Sequence, residues 1–547
     1  MTRKTGLALL AIGLVYVALC LVGISKELPY MPAGDEHLFV LPAVRMASEG
    51  DLNPGWFGNP GSTTIYPLAA IFHVLNFLFY RGTLLHADPN LLVNFQNNWP
   101  VFYLAGRGLS VLYALLSLPL VYLTGKRAFD SKVGLLAVLF YAAYPWPIFW
   151  SQFVRTDSSG TFFCILGLWA CLRYYDRPSG GTKLLAAAAI GLAAASRYVL
   201  LSLLPILILA DLLQEREGSP ATNRQALLGR VTLSVAATLA VFVLSTPFAF
   251  LEVRTTIDNV RHESRDVQLG FDGLSPLGNV GWYLAAAIPK NVSWVHSLLA
   301  AGGAGLVVAR RSRKGWLLVA FLVLYLAGIS LLALHWERWL LQILPVLAVL
   351  AAFGLGAVAR WLSTVVVRPA RSQATMAVLG VAALALPVYQ VSLLTWQRAA
   401  PSPRVLALEW ALENLPPGTG LVVEPMYRGL AESPFVLYVQ SGMPPDRSMA
   451  AYRQEGYDYI VVHHYYLTQY RKDPGRYADK LLFYEQLFRS GCLVEEFEAR
   501  TGYEYTVQIY DLECLDDRTI TAEPTIEAET VYLGRMGLLE SSDRGAA

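Results

Sequence analysis

Charged residues are scarce in this 547-residue chain: Asp, Glu, Lys and Arg together make up 15% of it, against about 25% in a soluble domain. That shortage excludes a fully water-covered exterior, so much of the surface must face lipid. The 43 basic and 41 acidic residues nearly cancel, leaving +2. No basic stretch is interleaved with aromatics, which excludes nucleic acid as a partner. Cysteine is sparse too, five in all, with no Cys-x-x-Cys pair and no His/Cys spacing suited to zinc. Cys20, Cys164 and Cys171 lie in apolar runs and read as small buried or lipid-facing residues. Cys492 and Cys514 lie in the polar C-terminal part and are candidates for a disulfide if that part is extracytoplasmic.

What is abundant is long apolar sequence. Met1 to Ile24 opens with Arg3 and Lys4, runs on apolar for about the length a bilayer needs, and has no small-x-small cleavage site. It reads as a retained first helix with its basic end inside. Further apolar segments follow at Val101–Thr124, Val133–Trp150, Ser158–Tyr174, Leu184–Ser196, Tyr198–Leu213, Val231–Phe248, Trp294–Ala309, Trp316–Leu334, Trp339–Val358 and Thr375–Leu394. Hydropathy thus predicts about eleven spans. Alternate connections carry the basic residues: Lys126, Arg127 and Lys132, then 173–183, 214–230, Arg310 to Lys314, and 360–371. By the positive-inside rule the N-terminus is cytoplasmic, and an odd number of spans places the C-terminal part outside. The plasma (inner) membrane is the expected location.

The expected architecture is a polytopic α-helical membrane protein with a small extracytoplasmic α/β domain at its C-terminus. Residues 1–396 form the transmembrane part, including a first outer loop, 25–100, with helix-like pieces at His37–Gly50 and Thr64–Phe79 suited to lie along the membrane surface. A second outer loop, Leu251 to Asn291, is rich in charge and glycine. In residues 397–515, helical patterns at Pro403–Leu415 and Tyr477–Ser490 alternate with strand-like runs at Gly420–Glu424, Tyr457–His463, Leu493–Glu498 and Tyr505–Leu512. Residues 516–547 read as a polar tail.

Ionisable residues gather near helix ends on the predicted outer side: Asp35, Glu36, Arg155, Asp157, Arg197, His262, Glu263, Arg265, His335, Glu337 and Arg338. Their scarcity at mid-membrane is expected from the cost of burying charge. Their collection on one side, with alternating sign, points to a polar cavity at the outer boundary. A sugar on a polyprenyl phosphate needs such a place, with its tail in lipid and its phosphate at headgroup level. Phosphate leaves without a general acid but needs a cation to hold its charge. The acceptor hydroxyl needs one carboxylate as base. One acid and one or two cations suffice.

Gly34-Asp35-Glu36-His37, just after the first helix and followed by an apolar surface helix and Asp51-Leu52-Asn53-Pro54, resembles the first outer loop of the GT-C membrane glycosyltransferases. The likeness is in particular to the protein-mannosyltransferase and aminoarabinose-transferase group. The resemblance implies that Asp35 is the catalytic base. Arg155-Thr156-Asp157 is similar to that group's second outer acidic position. His335-Trp336-Glu337-Arg338, followed by Leu344-Pro345, resembles the start of a late helix whose arginine faces the lipid phosphate. The expected activity is inverting transfer from a polyprenyl-phosphate sugar to a lipid, glycan or protein acceptor at the outer face. Glu36, Arg155, Asp157, Arg197, His262 and Arg338 are the expected substrate-binding residues. Asp35, Glu36 and Asp157 are candidates to hold a divalent cation with the donor phosphate; no other cofactor is called for.

Each residue has a structural alternative. Asp35-Glu36 and Asp157 suit helix N-termini, Arg338 could snorkel, Arg197 could break two short helices, and His262 could be an ordinary loop residue. A transporter or flippase for a lipid-linked or polar substrate is the rival function, and the short Leu184–Leu213 pair is its one supporting feature. An oligosaccharyltransferase is disfavoured, because no Trp-Trp-Asp-Tyr-Gly run occurs.

Overall fold

Backbone N–H and C=O groups find no water in lipid, so apolar runs must satisfy them within helices. The computed structural model agrees: all eleven apolar segments overlie helical stretches. It describes residues 3–30, 32, 34–80, 90–218, 224–263, 269–365, 372–424, 433–439, 447–500 and 504–515. Arg265 and the 516–547 tail lie outside the described residues. By length and apolarity, six described helices can cross a membrane: Arg3–Leu21, Leu91–Ala128, Gln225–Ser245, Arg313–Ser330, Leu344–Thr364 and Thr375–Asn414. Two bent pairs raise this to eight, Ser131–Ala142 with Pro145–Ser151 (60°) and Pro276–Val292 with Trp294–Ala309 (118°). The remaining apolar helices, such as Gly180–Ser196, are shorter. Among the described residues this makes six spans, or up to eight with the bent pairs, against the eleven apolar segments of the sequence.

The breaks have local causes. Tyr144 is extended before Pro145, which starts the next helix at a position where a missing N–H does no harm. Asn98 leaves helical geometry two residues before Pro100 in the Leu91–Ala128 helix. The second outer loop is more helical than its composition suggests, with helices at Val253–Glu263 and Pro276–Trp282.

Two units are distinct. The first comprises Met1–Ile24, Asp35–Arg265 and Leu274–Thr395. Its helices approach closely where glycine permits: a Cβ on Gly303 would meet the Leu350 carbonyl oxygen at 2.1 Å, and one on Gly354 the Leu299 oxygen at 2.2 Å. Elsewhere in this unit Lys183 and Asp211 form a buried ion pair (2.8 Å) that Tyr174 and Ser234 complete with hydrogen bonds of 2.6 and 3.0 Å.

The second unit comprises Ser25–Gly34, Asp266–Gly273 and the chain from Trp396. Its sheet contains β1 (Gly420–Val423), β2 (Val436–Val439), β3 (Tyr459–His463), β4 (Leu493–Phe497) and β5 (Val507–Asp511), in the order β2-β1-β3-β5-β4. β1 runs parallel to β2 and β3, while β5 is antiparallel to β3 and β4. Side chains alternate across the sheet. Leu421 and Val423 pack on helix Pro403–Asn414, and Val422 packs on the opposite face with Tyr484 and Leu487 of helix Ala478–Arg489. Burial on both faces explains the unbroken apolar run of β1. Strand β2 and helices Met449–Gln454 and His464–Tyr470 were not expected from the sequence. Cys492 and Cys514 are bonded, with Cα atoms 5.6 Å apart.

Candidate active site

The turn Gly34–Glu36 presents two neighbouring carboxylates with different fates. Glu36 is fully buried and accepts from Arg107 Nε (2.9 Å) and Nη2 (2.7 Å). It also accepts from the Val154 N–H (2.9 Å), and Arg107 Nη1 donates to the Ile24 carbonyl (2.6 Å). Bidentate pairing satisfies both buried charges and fixes their geometry. Glu36 therefore ties the turn carrying Asp35 to the segment just before Arg155.

Asp35 stays partly open, its side chain 47% exposed. Its Oδ2 lies 2.5 Å from Arg155 Nη1 and 3.9 Å from Arg338 Nη1. Arg155 Nε also reaches Asp157 Oδ2 at 3.3 Å, and Asp157 Oδ1 pairs with Arg197. Five residues from four parts of the chain thus form one alternating series: Arg338, Asp35, Arg155, Asp157, Arg197. Arg155 precedes helix Thr156–Asp176 and Asp157 sits in its first turn, where a carboxylate is favoured. Arg197 occupies the break between Gly180–Ser196 and Tyr198–Leu203. Gln342 donates to the Asp157 carbonyl (3.5 Å) and accepts from Tyr325 (2.9 Å).

Burial pushes the Asp35 pKa up, but Arg155 and Arg338 outweigh it and hold the carboxyl below its ordinary value. Burial, with Arg155 close by, lowers Arg338 to about 10, so it remains a cation at neutral pH. Arg338 is the loosest member of the series, and its buried Nε finds no partner among the described residues. Beside the series is a narrow cleft lined by Ala114, Tyr141, Pro147, Trp150, Asp157, Ser158, Thr161 and Leu341.

Of the expected site residues, the structure brings together Asp35, Arg155, Asp157, Arg197 and Arg338. It does not bring Glu36 to the cleft, because Arg107 and Val154 occupy its oxygens. His262 lies on the exposed last turn of Val253–Glu263, and the series forms without it. Nor do Asp35, Glu36 and Asp157 converge on a cation site: guanidinium groups stand against each, and among the described residues no three acidic, His or Cys side chains form a metal-holding group. Arg107, Gln342 and Trp150 escaped the sequence reading. For Arg107 a signal existed, a lone charge inside an apolar run.

Residues 102–248 match the family model of dolichyl-phosphate-mannose-protein mannosyltransferase. The archaeal oligosaccharyltransferase AglB from Archaeoglobus fulgidus, solved with an inhibitory peptide and a dolichol-phosphate, is similar in structure. Its TM-score is 0.52 at 14% identity, over 89% of this chain and 72% of that one. ArnT from Cupriavidus metallidurans, solved with undecaprenyl phosphate, gives 0.51 at 14% identity, over 93% and 98%. The fold is that of the GT-C membrane glycosyltransferases. No relative is found among curated proteins by sequence comparison. Within this GT-C fold, Arg155, Asp157 and Arg197 lie inside the matched stretch, whereas Asp35 and Arg338 lie outside it. The GT-C likeness and the apolar helices make the chain an integral membrane protein.

Proposed function

We propose that this chain is an inverting glycosyltransferase that moves a sugar from a polyprenyl phosphate to a hydroxyl acceptor at the outer face of the plasma (inner) membrane. The carrying observation is the Asp35 carboxylate shared between Arg155 and the loosely held Arg338. Asp35 accepts the proton of the acceptor hydroxyl as its oxygen bonds to the anomeric carbon. The bond from that carbon to the phosphate oxygen breaks, its electron pair stays on phosphate, and Arg338 holds the new charge. A single displacement inverts the anomeric centre.

Charge balance supports a monophosphate carrier. The three arginines of the series exceed its two carboxylates by one positive charge, which a phosphodiester monoanion neutralises. After transfer the carrier phosphate bears about one further negative charge, while Asp35 has become neutral by taking the proton. Its two arginine partners are then released toward the product, and the site stays balanced throughout. In a low-dielectric setting this avoids an uncompensated charge at any step.

The basic loops and the Cys492–Cys514 disulfide support an outer-facing C-terminal part, since disulfides persist in oxidising compartments. The donor, a lipid, glycan or protein acceptor, and membrane lipids are the partners. The test is incubation of purified protein with a panel of polyprenyl-phosphate sugars and candidate acceptors. Release of free polyprenyl phosphate coupled to acceptor glycosylation supports the reading. Movement of intact donor across vesicles, with no bond cleaved, would replace it with a flippase.

A further inference from the structure

Arg155 and Arg338 stand side by side, and their mutual repulsion is one of the causes that lower the pKa of Arg338. Asp35 offsets that repulsion, but a carboxylate also neutralises charge and occupies N–H donors that a phosphate needs. A second partner does neither. The Trp150 ring lies under both guanidinium groups, its centroid 5.7 Å from Arg155 Cζ and 5.9 Å from Arg338 Cζ. An indole face attracts a cation through its quadrupole, adds no charge and accepts no conventional N–H bond. Between the Trp150 ring and that of Trp336, 5.4 Å from its Cζ, Arg338 is held in place with its donors free for an incoming oxyanion.

The sequence places Trp150 for this task. Pro145 starts a separate short helix, Pro145–Ser151, bent 60° from the preceding one. On it Trp146 and Trp150, four residues apart, stack with centroids 5.8 Å apart and rings inclined by 20°. Trp146 in turn lies 6.0 Å from the Lys290 ammonium, which pairs with Glu337 at 2.8 Å. The indole stack thus has cations at both ends. Trp150 also lines the cleft beside Asp157, and its own N–H finds no acceptor among the described residues.

We propose that Trp150 is a positioning residue for the donor phosphate, its indole face holding Arg155 and Arg338 in a phosphate-receiving arrangement without consuming their charge. This rests on the function proposed above. The experiment uses the full-length chain with mono-, di- and trifluorinated tryptophan placed singly at position 150, together with Trp150→Phe and Trp150→Leu. Fluorination weakens the quadrupole while nearly preserving shape. Binding of a short-chain polyprenyl phosphate, donor KM and kcat, and the melting temperature are read for each.

The expected result is affinity that declines stepwise with fluorination, reaching a loss of about tenfold for Trp150→Leu, with Phe intermediate. Donor KM rises in parallel, and the melting temperature of the fluorinated proteins stays put. Wild-type binding unmoved by fluorination, or losses that merely track melting temperature, would overturn the positioning role and leave the transferase reading intact. Failure of the wild-type chain to bind any polyprenyl phosphate would remove both.

Discussion

Glu36 and Arg107, 71 residues apart in sequence, form a buried bidentate pair at 2.7 and 2.9 Å. Through the Val154 N–H the same carboxylate fixes the segment that precedes Arg155. A fully dehydrated ion pair therefore sets the distance between the proposed base and its first cation, although neither of its members lines the cleft.

Removing one partner leaves the other buried and unpaired, which costs about 3–5 kcal/mol. Glu36→Ala and Arg107→Ala are expected to lower thermal stability in detergent by that order. The double variant should be less damaging than the sum of the singles. Strict additivity in a double-mutant cycle would show that the pair is not coupled.

Asp35→Asn keeps shape and removes the base. Transfer should fall by about 10²–10⁴-fold, with circular dichroism and melting close to wild type. Retained turnover at wild-type kcat would eliminate Asp35 from the mechanism.

The pH dependence follows from the same residue. Arg155 and Arg338 depress the Asp35 pKa below its ordinary value, so the carboxylate stays ionised from neutral pH down through pH 5. Its contribution to stability is likewise present above the unfolded value and lost only as pH falls through the depressed folded value. The kcat/KM profile should show no acid limb near pH 6 that Asp35→Asn abolishes.

Arg338→Ala should raise donor KM by about 10–100-fold, the effect of losing a charge-assisted contact, with little change in folding. Arg338→Lys should recover only part of it, because an ammonium keeps the charge but not the planar fork. Equal donor KM in all three proteins would place the phosphate elsewhere.

In the C-terminal unit, burial raises the Glu424 pKa to about 8, against the opposing hydrogen bonds from Tyr484 Oη (2.5 Å) and the His463 N–H (2.9 Å). A carboxyl whose folded pKa exceeds its unfolded one loses stability as pH rises between the two values. Below about pH 6.5, burial of His463 and His464, which lowers both, works in the opposite direction. Between about pH 6.5 and 8 the full-length chain should therefore grow less stable with rising pH. Glu424→Gln should flatten that slope in melting experiments; an unchanged slope would clear Glu424.

Much of the architecture was legible because its causes are local. Apolar runs in lipid have only their own backbone to bond with, so the helices around Val101–Thr124 or Trp294–Ala309 could be read directly. Extra residues such as Asp35, Arg155, Asp157, Arg197 and Arg338 stood out because charge is scarce and sits at helix ends. The partition between the two neighbours Asp35 and Glu36 was not legible. Both are acids in one turn, and only the position of Arg107 decides that Glu36 is buried while Asp35 stays open.

Local sequence sets where helices form, which connections are basic, and which few side chains carry charge beside the apolar segments. Only the tertiary structure brings particular charges together, pairs Glu36 with Arg107, and lays Trp150 under two arginines. Backbone hydrogen bonding and hydrophobicity act over a few residues and leave a periodic trace. Ion pairs and ring contacts join residues more than a hundred positions apart, as Asp35 and Arg155 are, and leave none.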